Sequence, residues 1–141
     1  MIKNLVLSSG GVGGLSFIGA LKKLVDSKYL NLKDIECYCG VSIGSLLSLL
    51  LITGYTMNEC IELAMKIDFK DFINIGADDA LSFFNNFGFD TGEKMQKVIE
   101  MFLSKKNFKK NITLNELYNI TKKHYIIVAV CLETMKPIYF D

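Results

Sequence analysis

Arginine is absent from this chain, and all sixteen of its cationic side chains are lysines. Without a guanidinium there is no planar fork for bidentate phosphate recognition within these residues. Fifteen acidic residues balance the lysines to a net charge of +1. That balance supplies no basic field for a nucleic acid, so no nucleic-acid partner is expected. Proline occurs once, at Pro137, and histidine once, at His124. The four cysteines, Cys37, Cys39, Cys60 and Cys131, contain no Cys-x-x-Cys pair. They read as reduced, buried thiols rather than as a metal or redox centre. Long apolar runs are also missing. The longest, residues 46–52 with Val41 and Ile43 before it, is too short for a bilayer and is broken by Ser42, Ser45 and Ser48. The first strand-like run begins almost at residue 1, which leaves no room for a signal peptide. An intracellular, cytoplasmic protein is expected.

What is present is a chain that is 50% hydrophobic and long enough for one α/β domain with a sizeable core. Its most informative stretch is Gly40-Val41-Ser42-Ile43-Gly44. Residues 35–39 alternate like a short strand, and residues 46–52 read as a buried helix. A serine between two glycines at such a junction suits a nucleophile on a sharp strand-to-helix turn. A second glycine cluster, Gly10-Gly11-Val12-Gly13-Gly14, follows the apolar strand at residues 5–8 and opens a helix from Leu15. Backbone N–H groups converging in such a loop suit an anion or a developing oxyanion. About thirty residues separate the two motifs, the length of one β-α-β unit. A right-handed crossover would make the two strands parallel neighbours and bring both loops to one sheet edge.

These parts, in this order and spacing, resemble the start of a patatin-like phospholipase domain. The correspondence covers the first sixty residues closely and residues 89–140 more loosely. It implies a three-layer α/β/α fold with a mainly parallel sheet, and a serine acyl hydrolase acting on lipid or phospholipid esters. It also implies Ser42 as nucleophile, the amides of Gly10, Gly11, Val12 and Gly13 as oxyanion donors, Gly40 and Gly44 as the elbow glycines, and no metal or organic cofactor. Transient contact with a membrane surface is compatible with such a substrate. Two departures stand out. The family's loop usually begins with glycine and carries Lys or Arg before its last glycine, where Ser9 and Gly13 stand here. The family's dyad aspartate lies in an Asp-Gly-Gly or Asp-Gly-Ala turn, and no aspartate of this chain is followed by such a pair. The partner carboxylate is therefore expected beyond residue 141, and residues 1–141 are expected to be the N-terminal portion of one patatin-like domain, inactive alone.

The tail points the same way. Residues 125–132 read as a buried parallel strand, residues 133–137 as a turn, and residues 138–140 as a further strand with an exposed apolar edge. The rest reads as scaffold. Leu15, Ile18, Leu21, Leu24 and Val25 fall on one helical face, and Met95, Val98, Ile99 and Phe102 mark a helix after Gly92. Gly54 ends the nucleophile helix, and Thr56 to Glu59 and Thr113 to Glu116 each spell a capping box. His124 follows two lysines at a helix end and precedes a strand, on the sheet edge opposite Ser42, so it reads as a helix-end cation rather than a triad member. The aromatic-rich residues 69–89 read either as a lid over the serine or as core filling. Two other functions compete. One is an inactive patatin-like remnant that binds lipid or a partner. The other is a nucleotide-binding module, for which Gly11-Val12-Gly13 begins a dinucleotide fingerprint that Ser16 then breaks, and no Gly-Lys-Ser/Thr loop is present.

Overall fold

A computed structural model describes residues 2–66 and 92–141. Within them, four strands form an open mixed sheet in the order β1-β2-β3-β4, accompanied by five α-helices. Strand β1 is Asn4–Leu7, β2 Cys37–Gly40, β3 His124–Cys131 and β4 Lys136–Phe140. Strands β1 and β2 run parallel, with Leu7 opposite Gly40, the neighbouring placement that the spacing of the two glycine motifs predicts. Strands β2 and β3 are also parallel, with Gly40 opposite Ile127, whereas β3 and β4 form an antiparallel hairpin. The expected α/β class with a mainly parallel sheet is the observed one.

Helix α1, Ser16–Asp26, crosses between β1 and β2 and buries Ile18 and Leu21. Leu24, assigned to the same face by periodicity, is 40% exposed. At about 100° per residue it lies behind Leu21 at the margin of the stripe, while Val25 packs against the core. Helix α2, Ile43–Ile52, is buried nearly all round, which its uniformly apolar sequence anticipates. Its one fully buried hydroxyl, that of Ser48, donates to the Gly44 carbonyl at 2.8 Å, so no polar group is orphaned. Gly54 adopts φ +90° after the helix C-cap at Thr53. Helix α3, Met57–Lys66, then starts at the expected capping box, in which Glu59 N–H donates to Thr56 Oγ1 and Thr56 N–H to the Glu59 carboxylate. The second box, Thr113 with Glu116, opens helix α5, Leu114–Thr121.

Strand β3 departs from its expectation of burial throughout. Tyr125 is buried, but Val130 is 59% exposed and every residue of β4 is exposed. The cause is a length mismatch: β2 pairs only with residues 124–127, so the far half of β3 has β4 as its single neighbour strand.

Helix α4, Glu93–Lys105, borders with α3 one apolar cavity, to which Cys60, Leu63, Met95 and Phe102 contribute. The two are clamped at one end. Tyr55 donates its hydroxyl to the Phe102 carbonyl at 2.9 Å, and Lys106 Nζ reaches Glu59 Oε1 at 2.7 Å while lying 4.5 Å from the centre of the Tyr55 ring. The hydrogen bond from Lys106, with those from Thr56, holds the Glu59 carboxyl down at about 2, below its ordinary 4.5. A folded-state value below the unfolded one means that this stabilisation is complete above about pH 4.5 and disappears as the pH falls toward 2. Both side chains are partly exposed, so solvent screening limits the effect to about 1 kcal/mol. Denaturant titrations across that window should show Glu59→Gln losing most of this pH dependence, with wild type and variant converging at the acid end.

Candidate active site

The turn between β2 and α2 is built on close backbone approach. A Cβ on Gly40 would stand 2.5 Å from both Cα and N of Ser45, and one on Gly44 would collide with the carbonyls of Leu7 and Ser8, the latter at 2.6 Å. Both neighbours are backbone and cannot step aside, so the glycines at either side of Ser42 are sterically obligatory. Alanine at Gly44 should therefore cost about 3 kcal/mol or more in a denaturant melt. Alanine at Gly13, where nothing lies within 4 Å of the added Cβ, should change stability by no more than about 0.5 kcal/mol.

Ser42 itself sits at φ 54°, ψ −124°, a backbone conformation that non-glycine residues seldom adopt. Its carbonyl is held by Ser45 Oγ at 2.6 Å and by the amides of Ser45 at 2.9 Å and Leu46 at 3.2 Å. Gly44 N–H donates to Val41 O at 2.9 Å, and Val41 N–H to Leu7 O at 3.1 Å, which ties the turn to β1. From across the sheet Tyr125 donates its hydroxyl to the Ser45 carbonyl at 2.8 Å. Burial pushes the Tyr125 phenol well above its ordinary range, so it stays a neutral donor. This brace was missed in the sequence. Tyr125 reads there only as one more apolar strand residue, and nothing local links it to a partner eighty positions away.

The glycine cluster folds as a 3₁₀ turn, Gly11–Leu15, ahead of α1. Gly11 takes φ +50°, and the Gly14 amide donates back to the Gly10 carbonyl at 3.1 Å. A helical turn leaves its first N–H groups without intrahelical acceptors, and here those belong to Gly11 and Val12. Gly14 packs against Ile43, the residue after Ser42, so tightly that a Cβ there would collide with the Ile43 side chain. The two glycine motifs thus touch. Gly11, Val12, Gly14 and Ser42 line one cavity of about 280 Å³, whose deeper walls include Ile18, Leu50, Cys60 and Phe102. Gly10 and Gly13 lie in the same turn without lining that cavity.

Ser42 also borders a second cavity of about 420 Å³ between α2, α4, α5 and β3. Among the described residues, no aspartate, glutamate or histidine lines either cavity. Asp26 pairs with Lys22 at 2.8 Å on the outer face of α1. Asp34 belongs to a short 3₁₀ turn before β2. Asp141 borders a different cavity, beside His124. His124 opens β3 opposite Cys37, the first residue of β2, with its ring 4.6 Å from that of Tyr118. That is the sheet edge away from Ser42, as its sequence position implied. Asp68, Asp71, Asp78, Asp79, Asp90 and the aromatic stretch 69–89 lie outside the described residues. The described cysteines are all unpaired thiols, and no group of three or more potential metal ligands occurs among the described residues. No described helix is long and apolar enough to cross a membrane.

A serine at positive φ on a strand-to-helix turn, a glycine-rich 3₁₀ turn packed against it, and an apolar cavity lined by both thus meet at one edge of an α/β sheet. The chain belongs to the patatin-like phospholipase family, whose profile matches residues 5–136. It is 31% identical over 140 residues to an uncharacterized protein of Acanthamoeba polyphaga mimivirus, covering 99% of this chain and 46% of that protein. It is 30% identical over 138 residues to a probable lipid hydrolase of Invertebrate iridescent virus 6, covering 98% of this chain and 46% of that relative. The chain therefore spans a little under half the length of these two relatives.

Proposed function

We propose that this chain carries the nucleophile and oxyanion donors of a phospholipase A-like lipid acyl hydrolase. The observation that carries the reading is the shared cavity, in which Ser42 and the glycine turn meet against apolar walls. Ser42 Oγ attacks the ester carbonyl and forms a C–O bond. Its proton passes to an aspartate supplied from beyond residue 141, which returns it to the departing alkoxide as the C–O bond to the alcohol breaks in the tetrahedral intermediate. The amides of the 10–13 turn, Gly11 and Val12 foremost, donate to the oxyanion while it carries charge. Water then cleaves the acyl-enzyme and releases the fatty acid. The apolar cavity gives the acyl chain a matching surface, and its described lining residues offer a nucleotide no ionic contact, which disfavours the nucleotide-binding alternative. Residues 1–141 alone are expected not to turn over, because no aspartate of this chain is followed by the Gly-Gly or Gly-Ala pair that holds the family's dyad carboxylate. Residues 1–141 then form one portion of a single domain, and the substrate draws the protein transiently to a lipid surface.

The test is fatty acid release from phosphatidylcholine in mixed micelles by the full-length protein, with methanol added as a competing acceptor. A covalent acyl-enzyme partitions between water and methanol, so part of the product should appear as the methyl ester. Turnover that yields no methyl ester at any methanol concentration would count against the covalent route. Tight nucleotide binding without turnover would replace the reading altogether.

A further inference from the structure

The backbone of Ser42 is held chiefly through Ser45. Both the Oγ and the amide of Ser45 donate to the Ser42 carbonyl, at 2.6 and 2.9 Å. With that carbonyl fixed, ψ of Ser42 cannot leave −124° without stretching both bonds. Ser45 is itself confined from two sides. Its Cα and N lie so near Gly40 that a Cβ on the glycine would stand 2.5 Å from each. Its carbonyl accepts the Tyr125 hydroxyl at 2.8 Å. Because Ser45 lies in the first turn of α2, that carbonyl also faces the helix's own donor four residues on, so the phenol bond is an addition to the helix rather than a repair of it. A phenylalanine at position 125 would fill the same buried site with no polar group to satisfy. Strand β3 anchors the phenol independently of the turn, since residues 124–127 pair with β2 and place Tyr125 opposite Tyr38.

Resting on the reading of Ser42 as nucleophile, we propose that Tyr125 is a positioning residue for it: acting through Ser45, the phenol holds Ser42 in the strained conformation that presents it to the cavity lined by the glycine turn. A residue at φ 54° gains by relaxing toward commoner backbone geometry, and each bond that keeps the Ser42 carbonyl in place opposes that relaxation. The Tyr125 hydroxyl supplies its share from eighty positions away, by keeping Ser45 where both of its donors reach residue 42. Its effect therefore falls on the rate at which Ser42 reacts and not on the binding of lipid.

Tyr125 also borders the larger cavity, so positioning has to be separated from contact with substrate. In the full-length protein, Tyr125→Phe keeps the ring and removes only the hydroxyl. It should lower kcat for a p-nitrophenyl ester by about tenfold, the scale of one buried hydrogen bond, and leave KM near wild type. The second-order rate of fluorophosphonate labelling should fall by the same factor, because that reaction needs Ser42 and no bound lipid. Placing 4-aminophenylalanine at position 125 puts a donor back on the ring and should restore both rates. Tyr38→Phe is the control: this fully buried tyrosine donates to Leu32 O at 3.3 Å and lines neither cavity, so its loss should change neither rate. In a Ser45→Ala background, where the Oγ link to residue 42 is gone, Tyr125→Phe should cost clearly less than it does in wild type. Thermal melts set the assay temperature below the transition of every variant. Wild-type kcat and labelling in Tyr125→Phe, a loss that the amino group does not reverse, or a rise in KM alone would each overturn the proposal. An equal cost in the Ser45→Ala background would overturn the route through Ser45. Turnover that survives in Ser42→Ala would overturn the nucleophile itself, whereas its loss there beside an unimpaired Tyr125→Phe overturns only the positioning role.

Discussion

Ser42→Ala in the full-length protein should lose ester turnover by on the order of 10⁶-fold, the scale seen when a serine hydrolase loses its attacking hydroxyl. The substitution removes one oxygen and leaves the turn intact. Alanine meets the same positive φ of 54° that serine already tolerates, and the three hydrogen bonds to residue 42 all end on its carbonyl rather than its side chain. Stability should therefore stay within about 1 kcal/mol of wild type. Steady-state hydrolysis of a p-nitrophenyl ester, beside a circular dichroism melt, reads both quantities. A folded variant with substantial residual turnover would assign the nucleophile elsewhere.

The second large effect is expected at the glycine turn. Gly11→Val should lower kcat by roughly 10²–10³-fold, the usual consequence of losing one oxyanion donor, and should raise KM much less. Crowding is not the cause, because nothing lies within 4 Å of a Cβ placed on Gly11. The cause is the backbone: φ +50° strains a β-branched residue, and relaxing it rotates the adjoining amides away from Ser42. Gly54→Ala is the matched control. Its φ of +90° is also unfavourable for alanine, but the residue follows the end of α2 and lines neither cavity, so the cost should fall on stability and not on kcat. A folded Gly11→Val protein with wild-type kcat would remove this turn from the oxyanion site.

Much of the fold and of the candidate site was legible because the signals were local. Two glycine motifs separated by one crossover length determined that β1 and β2 would be parallel neighbours, and Gly14 against Ile43 is the contact that follows. Both capping boxes are formed by the residues that spell them. The failures came where a long-range partner decides the outcome. The apolar run of β3 looked buried throughout, yet burial needs neighbours on both sides, and beyond residue 127 only β4 pairs with it. Tyr125 bracing the turn after β2 through Ser45, and Met95 bordering two cavities, have no signature within a short window. The 3₁₀ geometry of the glycine turn was equally hidden, since a run of glycines permits many backbone paths and packing selects one.

Among all these claims, the identity of the reactive oxygen is the most exposed to test. The chain offers three serines within one stretch, and the structure distinguishes them sharply. Ser45 Oγ is committed to the Ser42 carbonyl, and Ser48 is fully buried with Oγ bonded to Gly44 O, whereas Ser42 borders both cavities. Treating the full-length protein with a fluorophosphonate and mapping the modified peptide by tandem mass spectrometry reads the site directly. The predicted result is a single phosphonyl adduct on Ser42, lost in Ser42→Ala and much weaker on residues 1–141 alone. An adduct on Ser45 or Ser48, or labelling that persists in Ser42→Ala, would contradict it.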